Sequence, residues 1–245
     1  MPLLESLAQA ERPEHGVQAG GPAMSEAGHR ARLRARLLEA GPIAVADHEL
    51  VEMVLFLGLP RRDTKPIARA LISRFGSFAS AISAPPQELL GVDGLGEAGV
   101  AALKIVQAAA QRLAKAEVLY RPVLGNWDRL MEYLQSVLSR EKIEQFRILF
   151  LDKKNGLIAD EVQGLGTVDH TPVYPREVMR RALELSATAI VLVHNHPSGD
   201  PTPSTQDIKM TLDIIAIAKS LGVAVHDHII VGRNGHASLK GMRLI

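Results

Sequence analysis

The chain has 245 residues, of which 47% are hydrophobic and 22% are charged, with a formal net charge of +1 and no cysteine. This length predicts one large domain or two modest ones, each with a proper core. The absence of cysteine excludes disulfides, thiolate metal sites and a cysteine nucleophile. Basic and acidic residues are nearly balanced in each half, so bulk charge provides no attraction for nucleic acid.

We expect no targeting signal at the beginning of the chain. It lacks the basic start and apolar core of a signal peptide, and no apolar run approaches the ~20 residues of a membrane span. We therefore expect a cytoplasmic protein with no membrane partner. Nothing in the sequence indicates its oligomeric state.

The first part of the chain is predicted to be helical. Residues 1–28 are rich in Gly, Ala, Pro and Glu without periodicity, which predicts a flexible N-terminal tail. Apolar spacing then predicts an all-α domain over residues 29–119. Its helices are expected at residues 29–39, 47–57, 65–75 (capped by Thr64), 78–83 and 97–118.

The segment around Gly94-Leu-Gly96 resembles a helix-hairpin-helix. Its glycines permit a tight hairpin, and the next helix offers backbone N–H groups that can hold a phosphate without reading base sequence. The candidate phosphate or DNA contacts are Gly94, Gly96 and, as a helper, Lys104. The competing interpretation is a packing or protein-docking module, because Gly-x-Gly turns are common between helices and Glu97 would repel a phosphate.

The second part of the chain has an α/β pattern. Residues 120–126 are predicted to be a linker, with Asn126 capping a helix over 127–138, and an α/β domain is predicted over 127–245. The apolar run 189–194 predicts a central strand. Further strands are expected at residues 146–151, 157–164 and 223–231, and helices at 175–185 and 204–221.

A candidate metal site follows the central strand. His194 and His196, two residues apart, project to the same side of an extended backbone, and Ser204 and Asp207 open the next helix. Two imidazoles and one carboxylate make a three-ligand set with a position open for water, as catalytic zinc requires. The same residues also suit structural roles, since Ser-x-x-Asp resembles a capping box, and capping and ligation can coexist.

A second histidine pair lies in the last long strand. His226 and His228 are predicted to share one face of that strand, with Asp227 opposite. We expect these residues to support the structure or to hydrogen-bond a metal ligand rather than to bind the metal themselves.

The spacing His194-x-His196-Pro-x(6)-Ser204-x-x-Asp207 resembles the JAMM (MPN-plus) metalloprotease motif. Together with Tyr174-Pro-Arg-Glu-Val and Asp227-His-Ile-Ile-Val, it makes residues 125–245 resemble the RadC family. This resemblance implies an α/β fold with a JAMM/MPN-like, cytidine-deaminase-like mixed sheet flanked by helices, after an all-α helix-hairpin-helix domain. It also implies one Zn²⁺ on His194, His196 and Asp207, a general base matched by Glu144 with Glu141 as competitor, and an oxyanion-supporting hydroxyl on Ser204.

The resulting functional hypothesis is a zinc-dependent hydrolase in which activated water attacks a peptide or isopeptide bond. The sequence does not identify the peptide or protein substrate. The alternative, implied by the family's association with DNA repair or recombination, is an accessory protein with weak, sequence-independent DNA contact through the N-terminal domain. A metal-dependent nuclease is disfavoured, because the sequence offers one three-ligand site and no second carboxylate cluster for two-metal chemistry.

Overall fold

The structure is a computed structural model that describes residues 26–119, 122–166 and 173–245. Helix α1 (Glu26–Ala40) and a short 3-10 turn belong to a compact unit that ends at Ala46, and a second unit starts at Asp47. The predicted tail lies outside the described residues except for its last three positions, where α1 begins. The predicted domain boundaries stay predictions. Within the described ranges, no helix is long and apolar enough to cross a membrane.

The first half of the second unit is helical, as the apolar spacing predicts. Its helices are α2 (Asp47–Gly58), α3 (Lys65–Phe75), α4 (Phe78–Ser83), α5 (Pro86–Leu90) and α6 (Gly96–Val118). Gly76 ends α3 with φ +86°, a conformation that favours glycine, and the Ser77 hydroxyl caps α4 by accepting the Ser80 N–H. Fully buried leucines at the centre of this bundle include Leu55, Leu71, Leu89, Leu95 and Leu103.

Two predicted helix caps are wrong in detail. Thr64 and Asn126 occupy the positions before their helices, but neither side chain makes a capping hydrogen bond. Thr64 adopts helical angles, and its hydroxyl is buried with no hydrogen-bond partner among the described residues. Asp63 instead accepts the Lys65 N–H at 3.0 Å, and the Asn126 amide donates to the Pro122 carbonyl at 3.3 Å. In both cases a different local hydrogen bond, between a side chain and the backbone, forms at the helix start in place of the predicted capping bond.

The second half is a five-stranded mixed sheet with helices on both faces, which confirms the predicted fold class. The strands β1 (Gln145–Leu151), β2 (Leu157–Leu165), β3 (Ala189–Asn195), β4 (Ala224–Val231) and β5 (His236–Ser238) lie in the order β2-β1-β3-β4-β5. The β3–β4 pair is parallel and the other pairs are antiparallel. β3 is therefore the central strand, and all seven of its residues are buried.

The apolar side chains of the sheet divide between two cores. Val191 and Val193 of β3 pack with helix α7 (Trp127–Leu138) on one face. Ile190 and Leu192 pack with α8 (Pro175–Glu184) and α9 (Thr205–Ser220) on the other. Because His194 continues this alternation, it is placed on the α9 side of the sheet, where Asp207 lies in the first turn of that helix.

A bulge interrupts β4 opposite the centre of β3. Ile190 and Val191 are consecutive, but their partners are Val225 and Asp227, so His226 is skipped. An extra residue of this kind breaks the alternation of side chains along a strand. Val225 accordingly packs in the core beside α9. After the bulge, the odd-numbered residues of β4 instead pack in the core on the other face of the sheet.

The bulge separates the second histidine pair. His228 is fully buried and contacts Thr211 of α9, whereas His226 Nε2 lies 2.7 Å from Asn155 Oδ1 in the β1–β2 turn. The prediction that His226 and His228 share a face is therefore wrong. Strict period-2 alternation was assumed, and the bulge shifts it by one residue.

Candidate metal centre

The end of β3 and the start of α9 bring three metal-binding side chains together. His194 Nε2 lies 2.9 Å from His196 Nε2 and 3.4 Å from Asp207 Oδ1, and His196 Nε2 lies 3.6 Å from Asp207 Oδ2. The His194 side chain is 1% exposed, while those of His196 and Asp207 are 19% and 15% exposed. The candidate ligands thus form a cluster that is closed towards the core and accessible from one side.

The spacing of these atoms fits zinc. Ligand atoms about 2.1 Å from a tetrahedral zinc are about 3.4 Å from one another, which follows from the tetrahedral angle. The observed separations lie near that value: 2.9 Å between the two nitrogens, 3.4 Å from His194 to Asp207 Oδ1 and 3.6 Å from His196 to Asp207 Oδ2. Two imidazole nitrogens and one carboxylate oxygen are also a donor set that zinc accepts, and they leave a fourth position for water or substrate.

The loop after β3 orients His196. Its backbone N–H donates to the Val231 carbonyl at 3.0 Å, and its Nδ1 lies 2.8 Å from the Asp200 carbonyl oxygen. A carbonyl can only accept, so Nδ1 carries the proton and the lone pair of Nε2 faces the other candidate ligands. The loop is held against the β4–β5 turn, since a Cβ added at Gly232 would lie 2.4 Å from the Gly199 carbonyl oxygen.

A buried chain of hydrogen bonds orients His194. His194 Nδ1 lies 2.8 Å from His228 Nε2, His228 Nδ1 lies 2.6 Å from Thr211 Oγ1, and Thr211 Oγ1 donates to the Asp207 carbonyl at 2.5 Å. The threonine has one proton, which goes to that carbonyl, so it must accept from His228 Nδ1. His228 Nε2 then accepts from His194 Nδ1. The lone pair of His194 Nε2 is left facing the candidate metal position.

This chain includes a residue that the sequence reasoning missed. The prediction that His228 supports a ligand without binding the metal agrees with its contacts. Thr211 is not among the predicted site residues, and it lies four residues after Asp207, one helical turn along α9. The sequence feature that indicates it is a polar residue on the buried face of a helix, one turn from a candidate ligand.

Burial and the Asp207 charge set the protonation of the cluster. Burial lowers the pKa of His194 to about 4 and also lowers that of His228. The hydrogen bond to Asp207 raises the pKa of His196, with a further contribution from the charge of Glu144. Burial acts to raise the pKa of Asp207, but His196, His194 and Ser204 outweigh it and hold that pKa below its usual range. At neutral pH His194 is therefore a neutral imidazole, the form that binds a metal.

Ser204 and Asp207 form the predicted capping box. The Ser204 N–H donates to Asp207 Oδ2 at 2.7 Å, and the Asp207 N–H donates to Ser204 Oγ at 3.1 Å. The Ser204 hydroxyl also donates to Oδ2 at 2.7 Å. Asp207 can therefore cap the helix and still face the histidines. Its Oδ2 accepts the hydrogen bonds from Ser204, and its Oδ1 is the oxygen nearer His194. The oxyanion role of Ser204 stays a prediction.

Glu144 and Glu141, the two candidate bases, lie in different surroundings. Glu144 immediately precedes β1, and its charge acts on His196. Burial raises the pKa of Glu141, while the nearby cations that act on it are Lys104 and Arg147. Of the two carboxylates, Glu144 is thus the one coupled to the histidine cluster.

Asn195, between the two histidines, holds the segment that carries Glu144. Its Oδ1 accepts the Gln145 N–H at 2.8 Å, and its Nδ2 donates to the carbonyls of Glu141 and Ile143 at 3.3 and 3.2 Å. Asn195 is 1% exposed, so these are its buried partners. In the His-x-His motif Asn195 is only the spacer, whereas a buried amide at a strand end indicates a hydrogen-bonded role.

The hairpin residues lie in the helical half of the unit. Gly94 and Gly96 have φ values of +81° and +61°, as the predicted tight hairpin requires, and Arg62 donates to the Gly94 carbonyl at 2.9 Å. The Lys104 ammonium donates to the Ile82 carbonyl at 3.1 Å and to Gln107 at 2.9 Å, and burial lowers its pKa. Phosphate contact by these residues stays a prediction.

The fold and the site together define a class of protein. A mixed sheet flanked by helices, with two histidines at the end of the central strand and an aspartate at the start of the next helix, is the arrangement expected for a JAB-type domain. Residues 124–244 match the family model described as the RadC-like JAB domain. The resemblance to the RadC family drawn from the sequence is confirmed.

Proposed function

We propose that this protein is a zinc-dependent hydrolase of the RadC type that cleaves a peptide or isopeptide bond. The observation that carries the proposal is that His194 Nε2, His196 Nε2 and the Asp207 carboxylate group lie 2.9–3.6 Å apart, close to the ligand separations of a tetrahedral zinc. Bound zinc would supply a Lewis acid that makes water a nucleophile near neutral pH.

The residues around the cluster support the remaining steps. Glu144 would accept the proton of the attacking water and pass it to the leaving amine, since its charge already acts on His196. Asn195 would keep Glu144 in place by holding the backbone on both sides of it. Ser204 would offer its hydroxyl to the developing oxyanion, which requires it to exchange its bond to Asp207 for one to the substrate.

Metal content tests the proposal without a known substrate. Purified protein supplied with zinc and then dialysed should retain about one zinc per chain, measured by inductively coupled plasma mass spectrometry. Asp207→Asn, an isosteric change that keeps the side-chain shape, should lose the metal. His226→Ala removes a histidine outside the cluster and should keep it. Wild-type protein that retains no zinc would overturn the proposal.

The catalytic base can be tested separately from the metal. Glu144→Gln should retain zinc but lose hydrolysis of a peptide or isopeptide substrate found by screening the wild-type protein. Glu141→Gln is the matched control, because it neutralises a carboxylate three residues away that does not act on the histidines. Loss of hydrolysis in Glu141→Gln alone would assign the base to Glu141 instead.

The second candidate function is sequence-independent DNA contact through the hairpin. It is supported by the positive φ values of Gly94 and Gly96 and by the guanidinium of Arg62 beside them. It predicts salt-sensitive binding of duplex DNA that weakens in Gly96→Val. Equal DNA affinity in that variant and in the wild type would exclude the hairpin as the contact. A two-metal nuclease is not supported, because the described residues hold one cluster of metal-binding spacing.

A further inference from the structure

A cleft of about 450 Å³ includes Pro197, the residue after the candidate ligand His196, in its lining. One wall comes from α3, α4 and α5, over residues 74–88, and the other from residues 139–142 between α7 and β1. Pro197 and the β4–β5 turn complete the lining. Because Pro197 directly follows His196, a chain that lies in this cleft would enter or leave the site beside a candidate ligand.

The cleft is rich in positive charge. Its lining contains four basic side chains, those of Arg74, Arg140, Lys142 and Arg233. It contains two acidic ones, Glu88 and Glu141. Lys142 forms an ion pair with Glu88, so these two charges compensate each other.

The three arginines have no such compensation. Glu141 has Lys104 and Arg147 as the cations that act on it, and neither of them lines the cleft. Among the described residues, no carboxylate forms an ion pair with Arg74, Arg140 or Arg233. Three arginines from separate segments thus line one cleft without a carboxylate partner in the described part of the chain, so an anion that enters it would meet uncompensated positive charge.

We infer that this cleft binds an acidic segment of the polypeptide substrate, so that carboxylates next to the cleaved bond select the substrate. The inference rests on the proposed peptide or isopeptide hydrolysis, whose substrate it describes. Arginine suits this role because its planar fork of donors binds a carboxylate through two parallel hydrogen bonds.

The dimensions of the cleft favour a peptide over a nucleic acid. Its volume of about 450 Å³ lies in the range of small-ligand pockets, roughly 300–1,000 Å³, and holds a few side chains. Nucleic-acid channels instead track a long phosphate backbone.

Peptide binding tests the inference without any catalysis. Full-length protein is titrated, with a chelator present, into fluorescein-labelled poly-glutamate and poly-glutamine peptides of equal length, and fluorescence anisotropy is measured. Poly-glutamate should bind more tightly. Arg140→Ala and Arg233→Ala should each weaken that binding about five- to ten-fold, the value of an arginine–carboxylate contact reduced for partial exposure.

The matched control is Arg69→Ala. Arg69 is an exposed arginine on α3, the same helix as Arg74, and it does not line the cleft. Unchanged affinity in Arg69→Ala supports the inference, and an equal loss there would show that only overall charge matters. Failure to prefer poly-glutamate overturns the inference, as does tighter, arginine-dependent binding of a labelled single-stranded oligonucleotide.

The titration and the zinc measurement can fail separately. Because the titration is done without metal, a protein that retains no zinc can still show the cleft selectivity. A zinc-binding protein without peptide preference would contradict this inference alone.

Discussion

Replacing His228 by leucine should weaken zinc binding although His228 is not a candidate ligand. His228 Nε2 is the acceptor for His194 Nδ1 at 2.8 Å, and both rings are almost completely buried. Leucine has a similar volume but no acceptor. The proton on His194 Nδ1 would then be buried without a partner, and His194 would be free to adopt the tautomer that places a proton on Nε2, towards the metal.

The expected loss follows from these contacts. A buried donor without a partner costs about 1–3 kcal/mol. Removal of a group that hydrogen-bonds a metal ligand usually lowers metal affinity by about 10- to 100-fold, or about 1.4–2.7 kcal/mol. The two ranges overlap, so we expect a loss of about 10- to 100-fold for His228→Leu. His228→Gln, whose amide oxygen can accept the same proton, should recover part of it.

Competition with a chromophoric chelator measures zinc affinity in each variant, and circular dichroism checks that it is folded. His226→Leu is the matched control, since it changes a histidine on the same strand that contacts Asn155 instead of the cluster. The reasoning is refuted if folded His228→Leu binds zinc as tightly as the wild type. It is also refuted if His226→Leu loses as much affinity.

Three further predictions concern the framework of the site. Tyr133→Phe removes a buried hydrogen bond to Asp160 and should lower the free energy of unfolding by about 1–3 kcal/mol at neutral pH. Burial raises the pKa of Tyr133, so above pH ~10 the unfolded phenol ionises first and the advantage of the wild type in urea denaturation should shrink. Gly232→Ala would place a Cβ 2.4 Å from a backbone oxygen of the histidine loop, and it should lower the Tm and the zinc affinity. Gly235→Ala, with nothing within 4 Å, should change neither. Asn195→Ala removes the amide oxygen and N–H groups that hold the start of β1. It should lower the free energy of unfolding, measured by urea denaturation, by about 1–3 kcal/mol.

Each of these predictions has an outcome that contradicts it. A wild-type advantage over Tyr133→Phe that is constant from neutral to alkaline pH would show that the phenol does not titrate as inferred. Equal effects of Gly232→Ala and Gly235→Ala on the Tm and the zinc affinity would show that the close backbone approach at Gly232 is not the cause. Asn234→Ala changes an exposed asparagine of the β4–β5 turn, and a loss as large as that of Asn195→Ala would argue against a specific role for Asn195.

The candidate ligands were predictable because their signals are local. His194, His196 and Asp207 lie within fourteen consecutive residues, and the apolar strand before them and the helix cap after them can be read from neighbouring positions. The central strand, the α9 boundaries and the capping box of Ser204 followed from the same short-range patterns.

The surroundings of the ligands were not predictable because they depend on pairing between distant segments. Thr211 reaches His228 only because α9 crosses β4, and Asn195 reaches Gln145 only through the packing of β3 against β1. The bulge at His226 moves the later side chains of β4 to the opposite faces of the sheet. Strict alternation along the sequence cannot predict this change. Thr64 shows that local patterns can also mislead. Threonine suits a helix start, but here its side chain makes no capping hydrogen bond.

The capping box has a consequence for how metal and protein stability are coupled. The hydrogen bonds that hold the Asp207 carboxylate come from Ser204 and the helix start, and they involve no metal. Binding then requires little loss of side-chain entropy. Zinc would stabilise the fold by mass action, through its preference for the native state, in contrast to small zinc domains whose folding depends on the metal. Such a site could exchange its metal while the chain stays folded.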